Sequence, residues 1–549
     1  MLQPSPFTYT PSGSDWLHIL PELILLAAVF LTLLADLALP EGRKGWLAAV
    51  GVVGAIASGG SLVYASGFGA TAAFYGMIST DGVSLLSAGV VLLALLLALL
   101  LSPDYVTRQK IRRDGEYYVL LQLAALGMML MAAATNLMTI FVGLETLSLS
   151  LYVLCALPQT RLRSQEAGMK YFILSSFASA FLLYGMSLIY GATGTTGIPD
   201  IAAFLSRHQS ALSQGFTPLL IVGMSLMVVG FGFKVSAVPF QAWTPDVYVG
   251  APTTVTAFMS VGTKVAAFAA LARVFVQALQ TQNSHWQPVI WALAVLTMVV
   301  GNLLSVTQRD VKRMLAYSSV ATAGYLLVAF ATGSQRAMAS LFFYLAAYAV
   351  MNVGAFGVTL LVERGDGRGT TLEDFNGLGR RNPALAAAMA VFLFSLAGVP
   401  PTAGFLAKYF VFYAAIVGNQ TPLAIIGILA SVLGMFYYLR VVWAMYFVEP
   451  TPGVSPVAIA EPEPSLATVS VAANGAREAA ERAPERAEAP VLVQRQAIEA
   501  RSTLTSVRIA TPPSAAVALV IAVAATLLLI VLASPLDSYA QLAAAALFR

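Results

Sequence analysis

Long apolar runs follow one another along almost the whole chain, separated by short stretches that carry most of the charge. A run of about 20 apolar residues is long enough to cross the hydrocarbon core of a bilayer as a helix. Such runs fall near 17–39, 46–66, 82–102, 117–134, 137–157, 167–190, 218–239, 252–277, 286–306, 314–332, 337–362, 384–417, 422–447 and 514–534. The pattern predicts an all-α, polytopic membrane protein with about fourteen transmembrane helices, numbered here as spans 1 to 14. Two spans contain helix breakers. Span 7 includes GFGFKVSAVPFQAW, with Pro239, and span 12 includes SLAGVPPTAGFLAKYF, with Gly398, Pro400, Pro401 and Gly404. Broken helices at corresponding places in two halves point to a transport site. The likeness of SAVPF to AGVPP predicts two inverted five-helix repeats, spans 4–8 and 9–13. The expected units are 1–116 (spans 1–3), 117–277 (first repeat), 286–447 (second repeat), 449–513, and 514–549 with span 14. The 449–513 stretch is rich in Ala, Glu, Arg and Pro and poor in aromatics, and it reads as a disordered cytoplasmic loop.

Composition narrows the class. The 549 residues are 58% hydrophobic and 10% charged, against about 25% charged for a soluble domain, so a water-soluble enzyme is excluded. The net charge of +4 is scattered between apolar runs and forms no basic patch for nucleic acid. One cysteine, Cys155, lies inside an apolar run, which leaves disulfides, iron-sulfur ligation and thiolate zinc sites unsupported. His18, His208 and His285 fall at or outside span ends and cannot pair locally around a metal. The chain is therefore expected to hold no metal or cofactor, and any redox chemistry belongs to another subunit.

Basic residues set the expected orientation. Loops after odd-numbered spans hold fifteen Lys and Arg from Arg43 to Arg381, whereas the opposite side offers Arg207, Arg273, Arg336 and Arg549. The positive-inside rule then places odd-numbered exits in the cytoplasm and both termini outside. The opening residues, MLQPSPFTYTPSGSDWLH, lack the basic start of a cleaved signal peptide. The first run is thus expected to be a retained span, and the host a bacterial inner (plasma) membrane.

The charges within spans carry the chemical signal. Of seven lysines, Lys44, Lys110 and Lys312 read as loop residues, while Lys170, Lys234, Lys264 and Lys408 fall within spans. A charge at mid-membrane costs about 3 to 10 kcal/mol or more, so such residues face protein or water and mark ion paths. Lysine, unlike arginine, can alternate between charged and neutral forms when desolvated. Each interior lysine is a candidate proton-holding site. Glu145 in FVGLETLSLSLYVL is the complementary carboxylate in span 5, and a lysine on another helix would relieve it. That pair reads either as an electrostatic switch or as a static contact between helices. Lys170, near the start of span 6, is close enough to the interface to snorkel. Thr253, Thr256, Ser260 and Thr263 share one face of span 8 beside Lys264, and Ser318, Thr322 and Tyr325 share one face of span 10. Both rows read as hydrated paths or as helix-packing residues.

Three segments, VPFQAWTPDVYVGAPTTVTAFMSVGTKVAAFA, VKRMLAYSSVATAGYLL and VPPTAGFLAKYFVF, resemble signatures of the antiporter-like membrane subunits of respiratory complex I. YFILSSFASAFLLYGMSLIYG and the span count resemble the subunit N family of NADH-quinone oxidoreductase in particular. The likeness covers nearly everything but the first dozen residues and the 449–513 loop. It implies a proton-translocating unit driven by quinone reduction elsewhere, with NADH, FMN, iron-sulfur clusters and quinone held by other subunits. The implied partners are further membrane subunits, small and antiporter-like, a peripheral redox arm and the lipid bilayer. By resemblance, Glu145 matches the family's span 5 glutamate, Lys234 its partner in span 7 and Lys264 the central lysine of span 8. Lys408 matches the span 12 lysine that hands protons outward, and Lys170 a basic residue often found in span 6. The lysine at 408 separates the chain from subunit M, which usually has glutamate there, and subunit L usually runs longer. Two departures stand out: Gln241 and a position near Thr322 are histidine in many relatives. A multisubunit cation/proton antiporter or an energy-converting hydrogenase subunit would show similar spans and lysines and is the alternative reading.

Overall fold

A computed structural model describes residues 11–40, 44–67, 71–111, 114–208, 217–364, 367, 369–450, 509 and 511–548. Thirteen helices among these residues are long and apolar enough to cross a membrane, from Leu20–Ala38 to Pro513–Val531. Pro383–Ala397 and Ala403–Val417, shorter and end to end, together make span 12. The protein is a multi-pass helical membrane protein, with fourteen spans among the described residues. A two-stranded hairpin, Thr71–Ala73 with Ile78–Thr80, bridges spans 2 and 3, pairing Thr71 with Thr80. A further helix, Ala533–Ala545, follows span 14 and packs on spans 3 and 11; the sequence pattern does not separate it. The 449–513 segment lies almost wholly outside the described residues.

Span 8 (Thr253–Ala278) is the axis, with every residue of Thr253–Leu271 buried. Spans 3, 4 and 11 pack around it. Large apolar side chains such as Phe30, Leu34, Val63, Phe177, Leu429 and Trp443 stay exposed on spans 1, 2, 6 and 13. In a bilayer this is the lipid-facing perimeter, so hydrophobicity around the whole circumference gives way to polarity only at the centre.

Both breakers act where the pattern places them. Span 7 runs as helix over Thr217–Val235, turns through Ser236 at φ 66°, and resumes as Trp243–Gly250. Span 12 stops at Ala397, turns through Gly398 at φ 83°, and resumes at Ala403 under a Thr402 cap. Each break contains a cis X–Pro bond, Val238–Pro239 and Pro400–Pro401. Spans 4 and 5 cross at Gly127 and Gly143, and spans 9 and 10 cross at Gly301 and Gly324. In each case an added Cβ would fall 2.5 to 2.7 Å from facing backbone nitrogen. Small residues let helix backbones approach closely where lipid supplies no hydrophobic drive.

Two basic residues lie deeper than their loop positions suggest. Lys312 occupies the first turn of span 10 (Val311–Thr332) and is 2% exposed. Arg273 is fully buried in a π-helical turn, Ala272–Ala278, that ends span 8. Its guanidinium holds both oxygens of Asp81 at 2.8 Å, and its Nε donates to the Ala132 carbonyl at 2.9 Å. Asp81 also caps span 3 by accepting the Ser84 N–H at 2.9 Å. Burial alone would push the Asp81 carboxyl up, but Arg273 and the Ser84 N–H hold it below the ordinary carboxylate value of 3.8. A carboxylate with a lowered folded value contributes stability in full above pH 3.8, and the contribution fades as pH falls through that lower value. Breaking one side of a buried pair leaves an uncompensated charge and costs about 3–5 kcal/mol. Asp81→Asn should therefore lower the thermal unfolding temperature in detergent at neutral pH, and an unchanged temperature would show that the clamp carries no stability.

Candidate functional site

Three of the four lysines expected within spans are buried in the interior, and none of them forms an ion pair among the described residues. Oxygen dipoles hold each one. Lys234, 2% exposed, ends the first half of span 7. Its Nζ donates to Ser148 Oγ at 2.7 Å, Ser175 Oγ at 3.2 Å and Tyr171 OH at 3.4 Å. It also sits 5.2 and 5.9 Å from the ring centres of Tyr171 and Tyr152, within range of cation–π attraction. The Glu145 pairing is looser than the sequence suggests. Glu145 makes no ion pair among the described residues, and its Oε1 is buried with no hydrogen-bond partner. Ser148, one turn along the same helix face, takes the lysine instead.

Lys264 is fully buried on span 8, about 16 Å along the helix from Thr253, hence near mid-membrane. Its Nζ donates to Ser319 Oγ of span 10 at 2.8 Å. The hydroxyls of Tyr248 and Tyr348 lie close to Ser319 without a hydrogen bond of their own. The span 8 row has a mixed character. Thr263 donates to the Met259 carbonyl at 2.6 Å and Thr256 to the Tyr248 carbonyl at 2.9 Å, as packing residues do. Ser260 donates to the Ala257 carbonyl and accepts from Asn352 at 2.6 Å, whereas Thr253 donates to the carboxylate of Glu363.

Lys408, on the second half of span 12, reaches back across the break. Its Nζ donates to the carbonyls of Leu396 and Ala397 at 2.9 Å each, and to Ser431 Oγ at 2.8 Å. These are the last carbonyls of the first half-helix, which lack intrahelical partners and carry the negative end of its dipole. The Tyr325 ring centre lies 5.1 Å from the same ammonium. A cavity of about 410 Å³ opens beside it, lined by Gly398, Phe405, Phe412, Tyr413 and Ser431 among others.

Aromatic and hydroxyl groups fill the intervals. Between Lys234 and Lys264, Tyr171 stacks on Trp243 at 4.7 Å, and Trp243 meets Tyr248 edge-on at 5.9 Å. Between Lys264 and Lys408, Ser318 bonds to Tyr438, and Asn302 accepts from Tyr437 at 3.2 Å and donates to Tyr325 at 3.0 Å. Gln241 lies on the short 3-10 turn between the halves of span 7, its Oε1 without a partner.

Lys170 does not join the buried row. Its side chain is 41% exposed and pairs with Glu166 at 2.7 Å and Asp246 at 2.9 Å, and Asp246 also takes Arg313 at 3.2 Å. This cluster lies at the arginine-rich end of the bundle, the interfacial position that snorkelling predicts. Lys312, by contrast, is a buried lysine that sequence reading misses. Its Nζ donates to the carbonyls of Val249 and Ala251 at 3.2 and 2.8 Å, where the second half of span 7 ends, as Lys408 does at the break in span 12. The sequence TQRDVKRM reads as a charged loop; the clue is Asp310, whose side chain accepts the Arg313 N–H and starts the helix at Val311.

Comparison with known proteins gives the family. The family model described as "NADH:quinone oxidoreductase/Mrp antiporter, TM" matches residues 134–434. NADH-quinone oxidoreductase subunit N of Trichlorobacter lovleyi is 46% identical over 78% of this chain and 87% of its own length. The Chloroflexus aggregans protein of that name is 42% identical over 81% and 89%. A chain of respiratory complex I from Thermus thermophilus superposes with a TM-score of 0.69 at 30% identity, covering 94% of this chain and 97% of that one. A chain of the Mrp complex from a Dietzia species superposes at 0.74 with 22% identity, covering 97% of each, a likeness of fold. The chain belongs to the antiporter-like membrane subunit family, in its subunit N branch.

The seat of Lys408 depends on Gly398. An alanine Cβ there would lie 3.0 Å from Lys408 Cδ, on a backbone at φ 83° that costs a side chain about 1 kcal/mol. Gly194 has φ 73° with open space around it, so Gly194→Ala isolates the backbone cost. Gly398→Ala should destabilise the protein more than Gly194→Ala in thermal unfolding, and equal losses would show that Lys408 tolerates displacement.

Proposed function

We propose that this chain is the proton-translocating subunit N of a bacterial NADH-quinone oxidoreductase. In that role it couples quinone reduction in other subunits to proton movement through Lys234, Lys264 and Lys408. The observation that carries the reading is the set of three interior lysines held by oxygen dipoles and, for Lys234 and Lys408, tyrosine rings, with no ion pair among the described residues. A lysine bound this way can exist with or without its proton, because its departure leaves no buried carboxylate uncompensated. Spans 4–8 and 9–13 act as the two inverted repeats, each contributing one broken helix. The arginine-rich end faces the cytoplasm, and both termini face outward across the inner membrane.

In this mechanism Glu145 is the moving charge. When a neighbouring subunit brings its carboxylate toward Lys234, the ammonium form is favoured. When the carboxylate withdraws, the proton passes to Lys264 and on to Lys408, which delivers it to the outer side. Lys170 and its acidic partners gather charge at the cytoplasmic edge. No redox centre belongs to this chain; NADH, FMN, iron-sulfur clusters and quinone are carried by its partners.

Purification of the tagged native protein in mild detergent should recover flavin and iron-sulfur subunits with NADH-to-quinone activity. Recovery of multi-span antiporter subunits alone would favour a cation/proton exchanger. Lys234→Ala should leave the complex assembled and abolish or sharply cut NADH-driven acidification in membrane vesicles; normal acidification would defeat the mechanism.

A further inference from the structure

At the arginine-rich end, span 11 (Gln335–Val362) finishes on Glu363, a carboxylate only 2% exposed. Thr253 Oγ1 donates to its Oε2, Tyr105 OH donates to Oε1 at 3.5 Å, and an Arg161 guanidinium nitrogen lies 3.9 Å from Oε1. Burying a carboxylate is costly unless it is paired and hydrogen-bonded. Its anchoring role is already covered, because Tyr105 OH accepts the Thr253 N–H at 2.9 Å and Arg108 holds the carbonyls of Leu360 and Glu363. What the carboxylate adds is a proton-binding group at the head of the span 8 hydroxyl row. That row, Thr253, Thr256, Ser260 and Thr263, ends beside Lys264. Arg161, next to the carboxylate, keeps 19% of its side chain exposed.

We propose that Glu363 is the group through which protons from the arginine-rich end reach Lys264, handed on first by Thr253. The proposal rests on the proton-translocation reading above. A proton from water at the Arg161 side binds the carboxylate and forms a carboxyl O–H. The carboxyl passes it to the Thr253 oxygen while the Thr253 hydroxyl proton moves inward. Thr256, Ser260 and Thr263 turn from their backbone acceptors to continue the row, since a hydroxyl accepts and donates at once. A new N–H bond forms on neutral Lys264 and Glu363 returns to carboxylate, with no change of oxidation state.

The charged and titratable groups around Glu363 are Tyr105 and Arg108 from span 3, Arg161 ahead of span 6, Lys312 from span 10 and the adjoining Arg364. Glu363→Gln in the complete complex, assayed in vesicles, should lower the proton-pumping rate on the order of tenfold at pH 8. The loss should shrink at pH 6, where protons are abundant, and Glu363→Asp should restore most of the rate. Wild-type pumping across this range, or a loss equal at every pH that aspartate does not relieve, overturns the proposal. Lys264→Ala, run in parallel, separates the two claims. If it pumps normally, the translocation reading itself fails; if it fails while Glu363→Gln pumps normally, only the role of Glu363 is lost. Should Glu363→Gln not assemble, Thr253→Val keeps the carboxylate and must show the same pH-dependent loss; normal pumping by that variant counts against the relay.

Discussion

The structure depends on holding ammonium groups in a low-dielectric interior without giving them counter-ions. Lys234, Lys264, Lys312 and Lys408 are all within 7% of full burial, and each donates to hydroxyl or carbonyl oxygen. An ammonium buried alone would be prohibitively costly, and one paired with a carboxylate would be locked to it. Hydroxyls and helix-end carbonyls lie between these limits. They stabilise the charge through oriented dipoles, and they do not become orphaned ions when the charge leaves.

This requirement explains why span 12 breaks. An unbroken membrane helix satisfies its own carbonyls and has nothing to offer a lysine at mid-depth. Ending Pro383–Ala397 inside the membrane frees the Leu396 and Ala397 carbonyls for Lys408, and ending Trp243–Gly250 exposes the carbonyls that Lys312 takes. Gly398, at φ 83°, turns the chain away so that the lysine on the following half-helix can reach back. The span 12 break, Lys408 and Gly398 form one device.

Much of this is legible in the sequence because membrane burial imposes a coarse and strong signal. The apolar runs place most spans to within a few residues, though span 7 continues past its expected end at 239 to Gly250, and GFGFKVSAVPF and AGVPPTAGFLAK mark both breaks. Three of the lysines stand out because charge is expensive in such runs. What the sequence hides is partnership. Glu145 and Lys234 look like a pair, yet Ser148 takes the lysine, since one turn of helix decides which side chain arrives and composition does not record it. Lys312 and Arg273 look like loop charges, because a basic residue at the first or last turn of a span has the same neighbours in sequence whether it faces water or the core.

Arg273 shows the other solution to a buried charge, and the contrast says what each is for. Its guanidinium is fixed by two oxygens of Asp81 and the Ala132 carbonyl, tying the start of span 3 and the end of span 4 to the end of span 8. Arginine stays protonated at any accessible pH, and its planar fork suits a bidentate carboxylate, so this clamp cannot titrate and need not. The lysines sit where the clamp's rigidity would be a fault. Had they been matched with carboxylates as Arg273 is, each proton would be held by a full opposite charge in a medium that screens it weakly. Glu145 keeps an unpartnered oxygen one turn from Ser148, the residue that takes Lys234, so a carboxyl group lies nearby without being committed to the lysine.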